Sequence, residues 1–426
     1  MIHLNYLREN ADFVIERLKI KNFDSGDYVQ KILAADTNRR ETQKKLDDNL
    51  SEQNRIAKQI GILFKEKKID EAHILKDKTI ALKTEAKEWE KLLLSFERQI
   101  DEWLILLPNL PHSSVPLGRS AENNEIIYSE GNTDVSAWML PHWELCEKLD
   151  IIDFETGVKI TGSGFPLYKN KGAFLQRALI NFFLDNAVKA GYVEVQIPYL
   201  VNEESVYATG QFPDKEGQMY FVNEDNFYLI PTAEVSVTNI YRDIILKETD
   251  FPIKHCAYSA CFRREAGSYG KDVRGLNRLH QFDKVEIVRI EHPDNSYQAH
   301  EEMTEYVASL LRKLELPFRI VRLCGGDMSF TSALTFDFEV FSKGQQKWLE
   351  VSSVSNFETF QANRLKLRFK SDGNKPQMAH TLNGSALAIP RIVAALLENH
   401  QTDTGKVLIP KALQNYMGGE LYICKD

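Results

Sequence analysis

The chain has 426 residues, of which 43% are hydrophobic and 27% are charged, a composition typical of a globular protein with room for two or three domains. Its formal net charge of -8 excludes a generally basic nucleic-acid-binding protein, so any contact with nucleic acid has to come from a local patch. It has no apolar run of the ~18 residues that span a membrane, and its start, MIHLNYLREN, is unlike a signal peptide.

The stretch from about Asp27 to Leu107 predicts two long helices, because it is charged, lacks proline and has only Gly61 as an interruption. The polar sequence KEKKID (65–70) is expected to reverse the chain between them. Both helices carry seven-residue repeats, which are typical of a coiled coil. The seam of the second helix is predicted at Leu75, Thr79, Leu82, Ala86, Trp89, Leu93, Phe96, Ile100, Trp103 and Leu107. The weaker seam of the first is predicted at Leu46, Leu50, Ala57, Ile60 and Phe64.

This helical arm is basic relative to the rest of the chain. Residues 31–100 contain 16 Lys and Arg and 13 Asp and Glu, a balance of +3 that leaves -11 for the remainder. Taken alone, the arm is consistent with a coiled coil that docks a protein or forms a dimer, and also with an arm that follows a phosphate backbone. The sequence LPNLPHSSVPLG (107–118), which contains three prolines, then predicts a linker.

The body of the chain mixes helices with strands. An amphipathic helix is predicted at 172–192, and the strand VEVQIPYLV that follows contains Pro198, which suggests a sheet edge or a contact surface. Strand-like runs then dominate, with helices expected near 234–246, near 300–314 and after Pro390. Long loops between alternating strands predict an α+β body built on an antiparallel sheet.

The cysteines bear on location and on metal binding. They are odd in number and form no CxxC pair, which favours a reducing cytoplasm and argues against a zinc site. We therefore expect a cytoplasmic protein with free thiols at Cys146, Cys256, Cys261, Cys324 and Cys424.

The stretch FRREAGSYGKDVRGLNRLHQFDKVE (262–286) concentrates charge on a predicted hairpin. If 261–265 and 278–288 are strands, alternation places Arg263 and Glu265 on one face. On the partner strand it places five residues on one face, namely Arg278, His280, Phe282, Lys284 and Glu286. The loop between the strands, 266–277, carries Lys271 and Arg274.

Two interpretations of this hairpin stay open on the residues alone. Arginines offer fixed donors to phosphate oxygens, an aromatic ring can stack on a base, and a carboxylate can hold an amine. The face therefore suits a nucleotide. It also suits a solvated sheet face with cross-strand ion pairs.

Three further stretches carry polar groups. IPTAEV contains Thr232 and Glu234, a pattern that taken alone is more typical of a helix cap than of a binding site. WLEVSSVSN contains Glu350, Ser352 and Ser353, oxygen ligands of the kind that Mg²⁺ accepts, although a half-buried strand explains them too.

The third stretch, LNGSALAIPR, contains Asn383 and Ser385 and ends in Pro390 and Arg391. Proline is common at a helix N-terminus. A cation there is unfavourable unless an anion lies beside it, so Arg391 suggests an anion site.

Together these motifs resemble seryl-tRNA synthetases, which are class II aminoacyl-tRNA synthetases, over nearly the whole chain. The resemblance rests on the arm, TAE (232–234), the 262–286 stretch as the second class signature, EVSS (350–353) and NGSALAIPRIVAALLENHQ (383–401) as the third. It implies an N-terminal helical domain (1–110) with an antiparallel coiled-coil arm, a linker and loop-rich connection (111–165) and an antiparallel-sheet class II catalytic domain (166–426). Pro198 resembles the proline of the first motif, at the interface of a homodimer.

The resemblance also implies roles for individual residues. Arg263 would hold the α-phosphate of ATP, and Glu265 and Phe282 would bind adenine. Arg278 and Arg391 would hold the β- and γ-phosphates, with Arg263 and Arg391 as catalytic residues. The ATP site would further include Arg264, Glu350, Val351, Ser352 and Ser353. The serine site would consist of Thr232, Ala233, Glu234, Glu286, Asn383 and Ser385.

Mg²⁺ would bind Glu350 and Ser353. Strict alternation puts these two residues on opposite faces of a strand, so the pair requires a bulge or a strand end between them.

The implied activity is a serine–tRNA ligase that forms seryl-adenylate from L-serine and ATP and then charges tRNA(Ser); the resemblance leaves tRNA(Sec) open. Another class II synthetase, prolyl or threonyl, would share the hairpin, but only about 25 residues follow LLENHQ, which leaves no room for a C-terminal anticodon-binding domain. A carrier-protein aminoacylase would lack the arm. A non-enzymatic coiled-coil protein that binds RNA or protein would not need the charged residues of the hairpin.

Overall fold

The computed structural model describes residues 1–214, 217–266 and 274–425. They form two compact units. One consists of Ile2–Lys19 and Phe23–Pro108, and the other of Met1, Ile20–Asn22 and the described residues from Asn109 onward. Within the described residues no helix has the length and apolar character needed to cross a membrane.

Helices and strands are both abundant in the described chain. The α-helices are α1 (Leu4–Glu9), α2 (Ala11–Ile20), α3 (Gly26–Lys65), α4 (Ile69–Leu104), α5 (His142–Leu149), α6 (Phe154–Ile160), α7 (Asn170–Lys189), α8 (Glu203–Thr209), α9 (Glu234–Asn239), α10 (Ser296–Lys313), α11 (Thr359–Leu365), α12 (Ile389–His400) and α13 (Lys411–Gln414). The strands are β1 (Glu125–Glu130), β2 (Ile152–Asp153), β3 (Leu167–Tyr168), β4 (Val193–Glu194), β5 (Leu200–Val201), β6 (Phe221–Val222), β7 (Phe227–Leu229), β8 (Ile245–Lys247), β9 (Ile253–Phe262), β10 (Gln281–Glu291), β11 (Phe318–Arg322), β12 (Leu334–Ser342), β13 (Lys347–Glu358), β14 (Arg368–Lys370), β15 (Gln377–Met378), β16 (His380–Ala388), β17 (Val407–Leu408) and β18 (Tyr422–Ile423).

The arm consists of α3 and α4, which have 40 and 36 residues and are therefore about 60 and 54 Å long at 1.5 Å per residue. The chain reverses between Lys65 and Ile69, where Lys67 adopts a left-handed conformation with a φ of 60°. The two predicted helices and the turn between them are confirmed. The predicted seam of the second helix is confirmed as well, because its side chains are all buried or half-buried.

The predicted seam of the first helix is partly wrong. Leu50 and Phe64 are each 42% exposed, and Ala57 is exposed too. The face that packs on α4 carries Thr42, Leu46, Asn49, Gln53, Ile56, Ile60 and Leu63. Asn49 accepts a hydrogen bond from Gln53 at 2.6 Å and donates one to Glu85 of α4 at 3.4 Å. A search for apolar repeats misses this register because polar residues occupy three of its positions.

The body is built on an eight-stranded sheet in the order β1-β11-β12-β13-β16-β10-β9-β4. Its neighbouring strands are antiparallel except for the pair of β4 and β9, so the predicted antiparallel α+β body is confirmed. Helices α7, α10 and α12 contribute to the main core with side chains such as Phe183, Leu311 and Leu396. Val285 and Ile287 of β10 join this core, which leaves Lys284 and Glu286 for the opposite face of the strand.

Three details differ from the sequence predictions. The helix expected over 234–246 ends at Asn239, and β8 follows after a left-handed Asp243 with a φ of 60°. The strand expected at 193–201 is divided into β4 and β5 with Pro198 between them, because proline has no N–H for a ladder. The stretch 111–165, expected to be loop-rich, also contributes the edge strand β1 and the helices α5 and α6.

Candidate active site

The hairpin of β9 and β10 places charged side chains just beyond its paired residues. The ladder runs only from Phe262 opposite Gln281 inward, so both strands end before the predicted positions on the side of the loop. Arg263, Glu265 and Arg278 lie outside the ladder, and Glu265 has a positive φ of 47°. The Arg278 guanidinium donates to the Glu265 carboxylate at 3.0 Å.

These residues nevertheless share one cavity of about 180 Å³. Phe282 lines it together with Arg263, whose guanidinium carbon is 5.3 Å from the centre of the Phe282 ring. Glu265, Arg278 and Lys284 line it as well. The cavity thus combines cations that can bind phosphate, a flat ring that can stack on a base and a carboxylate that can accept from an amino group.

His280 does not join this face, so its predicted position is wrong. Its ring stacks on Phe165 with the ring centres 5.3 Å apart, and its Nδ1 lies 3.0 Å from the Tyr220 hydroxyl. Alternation fails here because His280 precedes the first paired residue of β10. Of the loop residues, Lys271 lies outside the described part of the chain, and the Arg274 guanidinium lies 4.7 Å from the centre of the Trp143 ring.

A larger cavity of about 760 Å³ adjoins the first, since both are lined by Arg263, Glu265, Arg278, Lys284, Glu350 and Ser385. We call the two together the cleft. The larger cavity also brings together five residues expected at a serine site, namely Thr232, Glu234, Glu286, Asn383 and Ser385.

A hydrogen-bonded network forms the floor of the larger cavity. The Thr232 hydroxyl donates to Glu286 at 2.8 Å and accepts from the Lys284 ammonium at 3.0 Å. Lys284 also forms an ion pair with Glu286. The Asn383 amide donates to Glu286 at 2.8 Å and to Glu234 at 3.2 Å. The buried charges of Lys284 and Glu286 are therefore paired, as burial requires.

Glu234 is only 5% exposed. Its carboxylate accepts hydrogen bonds from Asn383 and, at 2.6 Å, from the Gln361 amide. Burial raises the pKa of Glu234 to about 7; the charge of Glu286 acts in the same direction, and the hydrogen bond from Gln361 opposes it. This carboxyl can therefore exchange a proton near neutral pH.

Strand β13 carries the bulge that the sequence required. Glu350 pairs with Glu339 and Ser352 with Phe338, so Val351 is the extra residue. Both Glu350 and Ser353 consequently line the larger cavity. Val351 and Ser352 lie against the smaller one.

The side chains of Val351 and Ser352 also make contacts within the protein. Val351 is part of the main core. The Ser352 hydroxyl donates to the carbonyl of Ser385 at 2.6 Å.

Oxygen ligands suited to Mg²⁺ meet at this bulge. Asp337 lies opposite Ser353 in the ladder, and its Oδ1 is buried without a hydrogen-bond partner. Burial, assisted by the charge of Glu350, raises the pKa of Asp337 well above its ordinary range. In the described chain no three His, Cys, Asp or Glu side chains are grouped to hold a metal ion. Glu350 and Ser353 offer oxygen atoms, the ligand type that Mg²⁺ takes together with water and substrate oxygens.

Arg391 lies in the first turn of α12, after Pro390. Its Nη1 donates to the Glu350 carbonyl at 2.6 Å and its Nε to the Asn277 carbonyl at 3.1 Å. It lines the smaller cavity beside Phe282, where a cation at a positive helix end suits a bound anion.

Two expected site residues lie outside both cavities. Ala233 is fully buried in a separate core cluster with Ile230 and Val235. The backbone N–H of Arg264 donates to the carbonyl of Gln218 at 2.8 Å, and its side chain lines neither cavity.

Known proteins resemble both the helical arm and the body of the chain. Residues 1–111 match the model of the seryl-tRNA synthetase N-terminal domain, and residues 220–400 match that of the tRNA synthetase class II core domain (G, H, P, S and T). The serine–tRNA ligase of Salinibacter ruber is 49% identical over 98% of both chains. The crystal structure of seryl-tRNA synthetase from Pyrococcus horikoshii complexed with ATP has a TM-score of 0.94, with 34% identity over 100% of both chains. The cytoplasmic enzyme of Naegleria fowleri in complex with AMP has a TM-score of 0.89, with 26% identity over 100% of this chain and 99% of that one.

The chain belongs to the seryl-tRNA synthetase family. It is a serine–tRNA ligase with a class II catalytic body and a helical arm. The alternative of another class II synthetase loses its support, because residues 1–111 match the seryl-tRNA synthetase N-terminal domain and the relative from Salinibacter ruber is a serine–tRNA ligase. The prolyl-tRNA synthetase of Giardia lamblia, 14% identical with a TM-score of 0.56, shares the fold alone.

Two residues of this seryl-tRNA synthetase were missing from the predicted site. Lys284 lies at the centre of the network, and its position two residues before Glu286 on a charged strand face was a usable signal. Gln361 lies on α11 and reaches Glu234 from a distant part of the sequence. No local pattern marks Gln361, because its importance arises from tertiary contact.

Proposed function

We propose that the cleft of this serine–tRNA ligase is the place where L-serine and ATP react to form seryl-adenylate. The observation that carries the proposal is the meeting of the Arg263 guanidinium, the Phe282 ring and the Glu286 network in one continuous cleft. Cationic donors for phosphate, a surface for a base and a carboxylate pocket for an ammonium are the groups that this reaction needs.

The smaller cavity is assigned to the nucleotide. Phe282 stacks on adenine, and Glu265 accepts from its amino group. Arg263 holds the α-phosphate, and Arg278 and Arg391 hold the β- and γ-phosphates. The Arg278–Glu265 ion pair, at 3.0 Å, then has to open so that both side chains engage ATP.

The floor of the larger cavity is assigned to serine. Its ammonium group is held by Glu286 with Thr232, and its hydroxyl by Glu234, Asn383 or Ser385, which line the same wall. Binding of the ammonium favours the ionised form of Glu234. The carboxylate of serine is thereby directed toward Arg263, which lines both cavities.

The chemistry needs no general base in the first step. A serine carboxylate oxygen forms a bond to the α-phosphorus, and the bond from that phosphorus to the bridging oxygen breaks, so pyrophosphate leaves. The nucleophile is already ionised, and catalysis comes from positioning and from charge stabilisation by Arg263 and Arg391. In the second step a terminal adenosine hydroxyl of the tRNA attacks the serine carbonyl and AMP leaves.

Mg²⁺ is assigned to the β13 bulge. Glu350 and Ser353 would hold it, and Asp337 lies opposite Ser353 in the ladder. When bound, the ion neutralises developing charge on the phosphate oxygens. The Glu350 carboxylate lies 3.5 Å from the Arg391 guanidinium.

The arm, the edge around Pro198 and the cysteines indicate the partners and location of the protein. The arm would follow the phosphate backbone of tRNA(Ser), which its relative basicity supports. A homodimer would form at the sheet edge around Pro198, where the apolar side chains of Val193 and Leu200 are exposed. The free thiols at all five cysteines support a cytoplasmic location.

The test is amino-acid-dependent ATP–pyrophosphate exchange, followed by charging of purified tRNAs. Serine should drive exchange and proline and threonine should not, and tRNA(Ser) should be charged. The same charging assay with tRNA(Sec) shows whether this tRNA is also a substrate. Exchange driven by proline or threonine in place of serine would refute the assignment of the cleft.

A further inference from the structure

His142 is a fully buried residue at the start of α5 that joins two segments near the smaller cavity. Its Nδ1 lies 2.7 Å from a carboxylate oxygen of Glu398 on α12. Its Nε2 accepts a hydrogen bond from the backbone N–H of Leu276 at 2.9 Å. The ring therefore links α12, the helix of Arg391, to the C-terminal part of the hairpin loop.

The hydrogen bonds fix the protonation of the ring. A backbone N–H can only donate, so the Nε2 that faces Leu276 has to present a lone pair. The proton then resides on Nδ1, where it is donated to Glu398. Rotation of the ring would lose both bonds, so the neutral tautomer and its orientation are set by the surroundings.

Glu398 is as buried as His142 and is heavily hydrogen-bonded. It accepts from the backbone N–H of His142 at 2.9 Å, from Gly344 at 3.1 Å and from the Gln345 amide at 3.0 Å, and also from the Ser342 hydroxyl. Burial alone would raise the pKa of Glu398, but the hydrogen bonds from His142 and Ser342 lower it below the ordinary value. The carboxylate thus holds three parts of the chain together, namely the start of α5, the segment 342–345 and α12.

A second set of hydrogen bonds links Glu398 to the residues of the smaller cavity. Gln345 accepts at its Oε1 from the Asn277 amide at 2.9 Å while its own amide donates to Glu398. The Asn277 carbonyl in turn accepts from Arg391. Leu276, Asn277 and Arg391 all line the smaller cavity.

The approach of this segment to α5 is close. Gly275 has a φ of +68°, and a Cβ at this position would lie 2.2 Å from the Nε2 of His142. The preceding residue, Arg274, lies over the Trp143 ring. Successive residues from Arg274 to Leu276 are therefore held against the first turn of α5.

We propose that His142 and Glu398 are positioning residues of the nucleotide site, holding Leu276 and Asn277 so that their part of the cavity wall and the guanidinium of Arg391 are in place before ATP binds. The inference rests on the assignment of the smaller cavity to ATP. Neither residue lines the cavity, so both act through the segment that they hold. Preorganisation of this kind lowers the cost of ordering a site when its ligand binds.

Two substitutions separate the bonds of His142. His142→Asn places an amide donor near Glu398 but cannot reach Leu276. His142→Gln extends far enough to present an acceptor to Leu276. We expect His142→Asn to raise the KM for ATP about tenfold in pyrophosphate exchange, the magnitude of one lost hydrogen bond to a fixed group. His142→Gln should raise it less than about threefold, and the KM for serine should change less than about twofold in both.

His400→Gln is the matched control. His400 lies on the same helix as Glu398, and its Nε2 lies 2.9 Å from the carbonyl of Leu314, so it anchors α12 without contact to Leu276. It should lower the melting temperature of the protein and leave the KM for ATP unchanged. Gln345→Ala removes only the link between Glu398 and Asn277 and keeps the experiment decisive if His142→Asn does not fold. It should raise the KM for ATP by about three- to tenfold.

The KM values for ATP and serine decide between the possible outcomes. A selective rise in the KM for ATP in His142→Asn or Gln345→Ala supports the proposal. A KM for ATP within about twofold of wild type in every folded variant, or an equal rise in the KM values of ATP and serine, overturns it. Absence of serine-dependent exchange in the wild type would instead refute the assignment of the cleft itself.

Discussion

The carboxylates of Glu234 and Glu286 are bridged by one amide group, that of Asn383, whose nitrogen lies 3.2 Å from the first and 2.8 Å from the second. Lys284 compensates the charge of Glu286 directly, whereas Glu234 has a neutral partner in Gln361. The two carboxylates therefore differ in environment, and it is Glu234 whose pKa is raised to about 7.

This difference predicts a pH dependence of stability. An unfolded glutamate ionises near pH 4.3, so between about pH 5 and pH 8 the folded chain has to ionise a buried carboxyl that the unfolded chain has already ionised. The contribution of Glu234 to stability is thus complete at low pH and is lost as pH rises through about 7. Urea unfolding without serine should show that Glu234→Gln gains up to about 3 kcal/mol relative to wild type over this range. Parallel pH profiles of the two proteins would refute the shift.

Arg263 should be essential for adenylate formation. Arg263→Ala should lower serine-dependent pyrophosphate exchange by about 10²–10³-fold, because a preorganised charge donor at the α-phosphate is lost. Arg264→Ala is the matched control, since its side chain lines neither cavity, and it should retain exchange within about tenfold. Circular dichroism should show both variants folded. Equal effects of the two substitutions would contradict the assigned role.

The arm should be needed for tRNA and dispensable for activation. Removing residues 42–91 and joining Glu41 to Leu92 by a short Gly/Ser bridge leaves the ion pairs of Asp36 with Arg8 and Arg39 at the base of the arm. The shortened protein should keep serine-dependent exchange and lose most tRNA charging. Charging by the full chain should also fall more steeply with salt than exchange does, because phosphate contacts release counterions. Unimpaired charging by the shortened protein would make the arm a purely structural coiled coil.

The sequence predicted most of what local pattern determines. The arm helices follow from helix formers and a heptad, and the hairpin face follows from alternation at Phe282, Lys284 and Glu286. Alternation was misleading at His280, since the ladder ends at Gln281.

Long-range contacts were beyond such patterns. Polar Asn49 and Gln53 concealed the register of α3 because their hydrogen bonds, and not apolar packing, place them in the seam. The bulge at Val351 was expected only because the resemblance assigns Glu350 and Ser353 to one metal ion. The strand sequence alone does not indicate it. Gln361 and His142 gave no signal, because their partners are far away along the chain.

The central claim, that the cleft forms seryl-adenylate, is tested most directly by comparing serine with alanine in ATP–pyrophosphate exchange. A site that holds the serine hydroxyl with buried polar groups such as Glu234 and Asn383 leaves those groups unpaired when alanine binds, so kcat/KM should fall by roughly 10⁴-fold. Exchange with alanine within about tenfold of exchange with serine would contradict the assignment of this network to serine.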